Sequence, residues 1–288
     1  MWGKHRMVWT TKGLEKSHRF HHHGKEGEKK LDNWNPAGYL KFEYERTLPS
    51  RDLAAHVRVE QVHNIIDIGC GPGNSTKVLR DTWPHARILG LDSSEQMIAK
   101  ARATYPEGEW IVGDAQRWSS RDRFDVVFSN AALQWMSDRA QVLTNLFRHL
   151  NVGGALAVQV PLIGDSPLHR ALAAVSQYDE WEKLLRGAGL NRTDYDDSFY
   201  YGHLSTLTTR IEMWITTYLH IMESHQAIID WYSSTGMRPY LERISGDERR
   251  STFVNQVLEL CSPEYPIQPN GKVIFPFKRL FFVAWNDT

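Results

Sequence analysis

From residue 65 the chain alternates between short, uninterrupted apolar runs and stretches whose apolar residues recur at helical spacing. The runs fall at 65–68, 88–91, 110–112, 124–128 and 155–160, and the helical patterns at 75–82, 95–104 and 139–150. Runs that are apolar on both faces and separated by amphipathic helices predict a parallel sheet covered by helices on both sides. Gly153-Gly154 punctuates the turn into the fifth run. Past Pro161 the pattern changes. Residues 166–189 read as helical, 211–221 as β-rich, and 225–234 and 247–260 again as helical. The last run, 272–285, is strand-like but contains Pro276, which suits an edge strand or a bulge. The block 222–271 then reads as a helical insertion between the last two strands, long enough to form a lid over the carboxyl ends of the sheet.

The 288 residues are 41% hydrophobic and 24% charged, an ordinary globular balance. Lys and Arg number 34, as do Asp and Glu. A chain without net charge is a poor binder of nucleic acid, which needs a positive excess to displace counterions. The cysteines Cys70 and Cys261 cannot alone build a disulfide framework or a four-ligand zinc site. No apolar run approaches the roughly 18 residues that span a bilayer, and no apolar signal core opens the chain. A cytoplasmic monomer without nucleic-acid or membrane partners is expected. Residues 1–33 stand apart. They hold eight Lys and Arg against four acids and include His21-His22-His23. Without periodicity they read as a disordered basic extension, added or targeting in origin, because a mobile His triplet fixes no metal geometry.

The strongest motif is Ile65-Ile66-Asp67-Ile68-Gly69-Cys70-Gly71-Pro72-Gly73-Asn74-Ser75, an apolar strand running through a glycine-rich turn into a helix. Glycines there permit positive φ and close approach of the backbone to a ligand, and the helix N-terminus offers free N–H groups. A dinucleotide fingerprint would need glycine at 74, which is Asn74. Asp92 ends the second strand, 23 residues after Gly69, where a ribose-binding carboxylate belongs. Asp114 follows the third strand and Asn130 the fourth. Ligands of open α/β sheets bind at these carboxyl ends, so Gly69, Asp92, Asp114 and Asn130 converge on one crevice. Each alone also suits a plainer role, a tight turn or the N-cap of a following helix.

These residues, Asp67-x-Gly69-x-Gly71-x-Gly73 with Asp92 and Asp114-Ala115, resemble the class I S-adenosylmethionine-dependent methyltransferases. The resemblance covers residues 34–288. It implies a Rossmann-like, seven-stranded α/β sheet whose last strand is antiparallel. It also implies roles: Asp67 among the cofactor-binding residues, Gly69, Gly71 and Gly73 facing the methionyl part, Asp92 and neighbouring Ser93 the ribose, Asp114 the adenine amino group, Ala115 and Gln116 the adenine faces, and Asn130 the sulfonium end. Arg46 would reach the cofactor carboxylate from an N-terminal helix. No metal is implied.

The acceptor is narrowed by the residues just past the fourth strand. Enzymes acting on base or glutamine amino groups often carry Asn/Asp-Pro-Pro-aromatic there, whereas this chain has Asn130-Ala131-Ala132-Leu133. Trp34-Asn35-Pro36, Ala132-Leu133-Gln134-Trp135, the stretch from Ser224 to Trp231, Thr235-Gly236-Met237-Arg238-Pro239, Tyr265-Pro266 and Arg279-Leu280-Phe281 resemble the trans-aconitate methyltransferase family, which esterifies one carboxylate of a small tricarboxylic acid. Segment 161–200 departs from that pattern. The resemblance implies a small carboxylic-acid substrate. A carboxylic acid with a pKa of about 4.3 is ionised at neutral pH, so no catalytic base is required. The remaining carboxylates call for arginine forks. Candidate substrate-binding residues are Tyr39, Trp135, Tyr200, Tyr201, His225, Arg238 and Arg279. Arg238 also fits a solvated turn, and Arg279 an interstrand ion pair. His220 and His225 are spaced wrongly for one metal site. The alternatives are transfer to a hydroxyl or amine of another metabolite, with His220 or His225 as base, and cofactor binding without catalysis.

Overall fold

The structure, a computed structural model, describes residues 43–189, 195–233 and 235–287, with backbone alone for 43–46. The expectations for residues 1–33 and for Tyr39 and the Arg46 side chain therefore lie outside the described residues. The first described helix, α1 (Glu43–His56), precedes the sheet. Then come β1 (Asn64–Ile68), α2 (Asn74–Thr82), β2 (Arg87–Asp92), α3 (Glu95–Thr104), β3 (Glu109–Val112), β4 (Phe124–Asn130), α4 (Arg139–Arg148) and β5 (Leu150–Pro161). These follow the expected runs closely. No helix joins β3 to β4.

Seven strands form one sheet in the order β3-β2-β1-β4-β5-β7-β6, with β6 at Ile211–Met222 and β7 at Val273–Trp285. The first five are parallel, and β7 is antiparallel to both β5 and β6. Successive side chains alternate between faces. Ile65, Val126, Ala155, Ala157, Phe281 and Val283 pack beneath Leu53 of α1 and Val78 of α2. Ile66, Val127, Leu156, Val158, Leu280 and Phe282 pack beneath Leu143 of α4 on the other face. Buried on both sides, the central strands need no polar alternation, which is why they read as continuous apolar runs.

Three features differ from the sequence pattern. The helix expected over 166–189 is two, α5 (Pro167–Val175) and α6 (Asp179–Leu185). Ser166 caps the first, accepting from the N–H of His169 at 3.2 Å, and the chain turns at 176–178. A further helix, α7 (Asp197–Leu204), is capped by Asp196, whose side chain accepts from the Phe199 N–H at 2.8 Å. Pro276 sits in an interior strand, yet β5 reaches only as far as Arg279. Pro276 therefore lies where β7 has β6 alone beside it, opposite Leu219, and its missing N–H is tolerated.

Between β6 and β7 lie α8 (His225–Ser233), α9 (Arg238–Leu241) and α10 (Asp247–Cys261). With α5 and α6 they bury Trp181, Trp231, Phe253 and the β7 residues Phe275 and Phe277 in a core of their own. The insertion is thus helical, as expected. Among the described residues no helix is long and apolar enough to cross a membrane, and no group of three or more His, Cys, Asp or Glu could hold a metal ion.

Candidate functional site

The turn after β1 is built from constraints that only glycine meets. Gly69, Gly71 and Gly73 have φ of 70°, 55° and 98°. A Cβ on Gly69 would overlap Ala132 Cβ, and one on Gly73 would meet Trp110 at 2.9 Å. At Gly71 nothing lies within 4 Å of the Cβ position. The first and third glycines thus let the turn pack against neighbouring strands, while the second leaves the backbone bare towards a ligand.

Asp67 stands behind this turn, not in it. It is fully buried, and its Oδ2 accepts from Ser75 Oγ at 2.7 Å and Thr76 Oγ1 at 2.6 Å, tying β1 to the start of α2. Burial raises its pKa to about 6. Expected at the cofactor, Asp67 instead anchors the loop from below. A strand-interior position facing α2 cannot also face the crevice.

Asp92 does face it. Its Oδ2 accepts from the Gly71 N–H and its Oδ1 from the Ser94 N–H, both at 2.9 Å. Burial raises its pKa. The cap of α3 is Ser94, whose Oγ accepts from Met97 N–H at 3.3 Å, so the capping role open to Asp92 falls to its neighbour. Asp114 Oδ1 accepts from the Gln116 N–H at 2.9 Å. Gln116 Oε1 accepts from the Ser137 N–H at 3.0 Å and Oγ at 2.8 Å, joining the loops after β3 and β4. Asn130 ends β4, and its buried Oδ1 has no partner among the described residues. Ala131 is the one described non-glycine residue with positive φ, at 55°.

Together these groups surround a crevice at the carboxyl ends of β1, β2, β3 and β4. Gly69, Gly71, Asp92, Ser93, Asp114, Ala115, Gln116, Asn130 and Trp135 all line it. The sequence did not single out Leu91, Met97 or Met136, which give it an apolar wall. It also missed Arg139, which is 1% exposed and donates to the carbonyls of Leu133 at 3.2 Å and Gln134 at 2.9 Å. Arg139 thereby braces the turn that carries Trp135. Cys70 is buried beside Ile98 and Trp110, and its thiol is pushed well up by burial, so it is an inert packing group.

The expected substrate residues scatter. Tyr200 is 1% exposed and packs on Phe282 with ring centroids 5.2 Å apart. The inward face of α7 makes it a core residue. Tyr201, on the opposite side of that helix, is 57% exposed. His225 heads α8 and bonds the Tyr265 carbonyl at 2.6 Å. Arg238 heads α9, where its Nε donates to Glu242 Oε1 at 2.6 Å. None of these four lines the crevice. Arg279 lies in β7, 4% exposed, its Nη1 donating to Gln159 Oε1 at 3.2 Å and its guanidinium carbon 4.5 Å from the Phe277 ring centroid. It is an inward-facing cation.

A second crevice opens past the end of β5, between the loop 161–167 and the outer face of the β6–β7 pair. Among the described residues it carries Asp165, Asp196, Asp197 and Glu264, with Lys278 beside them.

Among known protein families, the methyltransferase domain matches residues 65–154. The trans-aconitate 2-methyltransferase of Klebsiella pneumoniae (strain 342) is 40% identical over 254 residues, 88% of this chain and 98% of the relative. That of Azoarcus sp. (strain BH72) is 39% identical over 88% and 99%. Among solved structures, the YcgJ protein of Bacillus subtilis is similar in fold, with a TM-score of 0.54 at 16% identity over 84% of this chain and 99% of that one. So is a phosphoethanolamine N-methyltransferase 2 of Haemonchus contortus, with a TM-score of 0.51 at 14% identity over 84% and 52%. The similarity to the curated relatives runs nearly end to end, and the chain belongs to the trans-aconitate 2-methyltransferase family of S-adenosylmethionine-dependent methyltransferases.

Proposed function

We propose that the enzyme transfers the methyl group of S-adenosylmethionine to a carboxylate of trans-aconitate, or of a closely related small polycarboxylic acid, in the cytoplasm. The observation that carries this reading is a single sheet edge holding two unlike features. One is a crevice gripped by Asp92, and the other is the buried guanidinium of Arg279 three strands along from the glycine turn. The identity of about 40% with trans-aconitate 2-methyltransferases supports the choice of acid.

The crevice fits the cofactor. The bare Gly71 backbone gives room for close approach, and Leu91, Met97, Ala115 and Met136 form an apolar slot suited to adenine. Each Asp92 oxygen spends one lone-pair direction on a backbone N–H and keeps capacity for a ribose hydroxyl. Asp114 and Gln116 would hold the adenine edge, Ser93 the ribose, and Asn130, whose buried oxygen has no partner among the described residues, the methionyl end with Gly69, Gly71 and Gly73.

When bound, S-adenosylmethionine supplies a methyl group on a cationic sulfur. Transfer to an acceptor carboxylate oxygen would form the new bond to carbon as the sulfur–carbon bond broke, with the bonding pair left on sulfur. No proton moves, so the protein needs no base. Its contribution is alignment, and exclusion of water from a step in which opposite charges annihilate. Trp135, held by the Arg139-braced turn, walls the crevice on the acceptor side. Lined by four acids, the second crevice would repel a polycarboxylate.

The test is methyl-labelled S-adenosylmethionine offered with trans-aconitate. A base-labile monomethyl ester is expected. Tight binding of S-adenosylhomocysteine without transfer to any di- or tricarboxylic acid would refute the acceptor class.

A further inference from the structure

On the α1 side of the sheet, the carboxyl-edge positions of three adjacent strands are polar. Asn130 on β4 pairs in register with Gln159 on β5, and Gln159 with Phe281 on β7, two residues from Arg279. Strand alternation puts Asn130, Gln159 and Arg279 on one face. Register carries the row onto β6, where Tyr218 lies opposite Phe277 and His220 opposite Phe275. Gln159 is fully buried, and Arg279 and His220 are 4% and 6% exposed. Tyr218 donates its hydroxyl to Asp52 of α1, while His220 packs at a tilt against Trp231 with ring centroids 4.7 Å apart.

Buried polar atoms are nearly always hydrogen-bonded. This row holds three that have no partner among the described residues: Asn130 Oδ1, Gln159 Nε2 and His220 Nε2. The orientation of the Gln159 amide is fixed by chemistry. A guanidinium has only donors, so the atom facing Arg279 Nη1 must be Oε1, and Nε2 is the amide's remaining donor. The result is a buried cation beside an amide N–H donor that has no partner among the described residues, one strand along from Asn130, which lines the cofactor crevice. The chemistry matches a carboxylate, which accepts through two oxygens.

We propose that Gln159 is a specificity-determining residue: its Nε2 and the Arg279 guanidinium together seat one non-reacting carboxylate of the acceptor. This rests on the reading of the acceptor as a polycarboxylic acid. Gln159 has a second duty, holding the guanidinium through Oε1 so that the fork is aimed before the acceptor arrives, which lowers the ordering cost of binding. The sequence offers no sign of it, since Gln159 sits inside an apolar run.

Two substitutions test it, read by KM for trans-aconitate, kcat, and calorimetric affinity for S-adenosylhomocysteine. Gln159→Glu sets a fixed carboxylate against Arg279, which occupies the cation and repels the acceptor. Gln159→Met, near in volume and without polar atoms, removes both the Nε2 donor and the oxygen that holds Arg279. The expected result is a KM raised about tenfold or more in both, from loss of a hydrogen bond to a charged group. Nucleoside affinity should stay at the wild-type value, with kcat within about threefold. An unchanged KM in either variant that still binds S-adenosylhomocysteine overturns the proposal, as does a fall in kcat alone. A crystal of the wild-type enzyme with S-adenosylhomocysteine and the unreactive tricarboxylate tricarballylate gives a result independent of either variant's folding. A carboxylate within hydrogen-bond distance of Gln159 Nε2 supports the assignment, and one seated elsewhere ends it. Failure of the wild-type enzyme to methylate any polycarboxylate would instead sink the functional reading on which the proposal rests.

Discussion

Asp67 and His220 are buried titratable groups whose effects on stability run in opposite directions, and removing each should expose the other. Burial raises Asp67 from 3.8 to about 6, against the pull of hydrogen bonds from Ser75 and Thr76. Burial, with help from Arg279, lowers His220 from 6.5 to about 4. Between pH 4 and 6 the folded state holds the Asp67 proton more tightly than the unfolded chain does, so this carboxyl costs stability as pH rises through that window. The displacement corresponds to about 3 kcal/mol by pH 7. For His220 the unfolded chain binds the proton more tightly between pH 4 and 6.5, so stability is gained as pH rises, again by about 3 kcal/mol. The perturbations are Asp67→Asn, which keeps an oxygen for both hydroxyls, and His220→Phe, which keeps a ring against Trp231. The assay is urea unfolding of the ligand-free enzyme, followed by tryptophan fluorescence at pH 4 to 7.5. Relative to wild type, Asp67→Asn should gain about 3 kcal/mol across this range, and His220→Phe should lose about as much. Taking differences cancels other groups such as Asp92, whose pKa burial also raises. A stability gap between Asp67→Asn and wild type that stays constant with pH would refute the reasoning, because it would mean that the folded protein leaves this carboxyl at its ordinary value.

Asp92→Ala should weaken S-adenosylhomocysteine binding by about a hundredfold in calorimetry, since two hydrogen bonds to a charged acceptor are lost; unaltered affinity would remove Asp92 from the ribose. Gly69→Ala and Gly71→Ala should behave differently although both have positive φ. The first overlaps Ala132 and should cost several degrees or more in Tm, whereas the second meets only open space and should reduce nucleoside affinity with a smaller thermal shift. With no base in the mechanism and His220 neutral above its lowered pKa, kcat should stay level between pH 7 and 9. A tenfold climb across that range in steady-state rates would reveal a titrating group.

How much of the molecule was legible in the sequence depended on whether a residue's role follows from its neighbours along the chain. The five parallel strands were legible because burial on both faces makes each a continuous apolar run. The glycine turn, Asp92, Asp114 and Asn130 were legible because a parallel sheet delivers every strand's carboxyl end to one edge, so position after a run is position in the crevice. Asp67 shows where that logic stops. It belongs to the same motif, but one step of strand alternation turns it away from the crevice and towards Ser75 and Thr76. Tyr200 and Tyr201 make the same point on a helix, since adjacent tyrosines end up one in the core and one in solvent.

Antiparallel pairing hides more. Arg279 was read from the sequence without Gln159, to which it donates, because that residue is 120 positions away and is brought in only by the register Gln159↔Phe281. That register cannot be read from either strand alone, because Phe281 and its neighbours are apolar on both faces and would tolerate a slip by hydrophobicity. Polar groups make the slip costly. A shift of one residue would turn Gln159 or Arg279 to the opposite face, into the Leu280–Phe282 layer, where neither has a partner and a buried guanidinium is prohibitive. The pair that is proposed to recognise the acceptor therefore also fixes the pairing of β5 with β7. Loss of stability on replacing Gln159 is then expected on structural grounds, and the KM for acceptor, measured where the nucleoside site is intact, is the quantity that separates recognition from register.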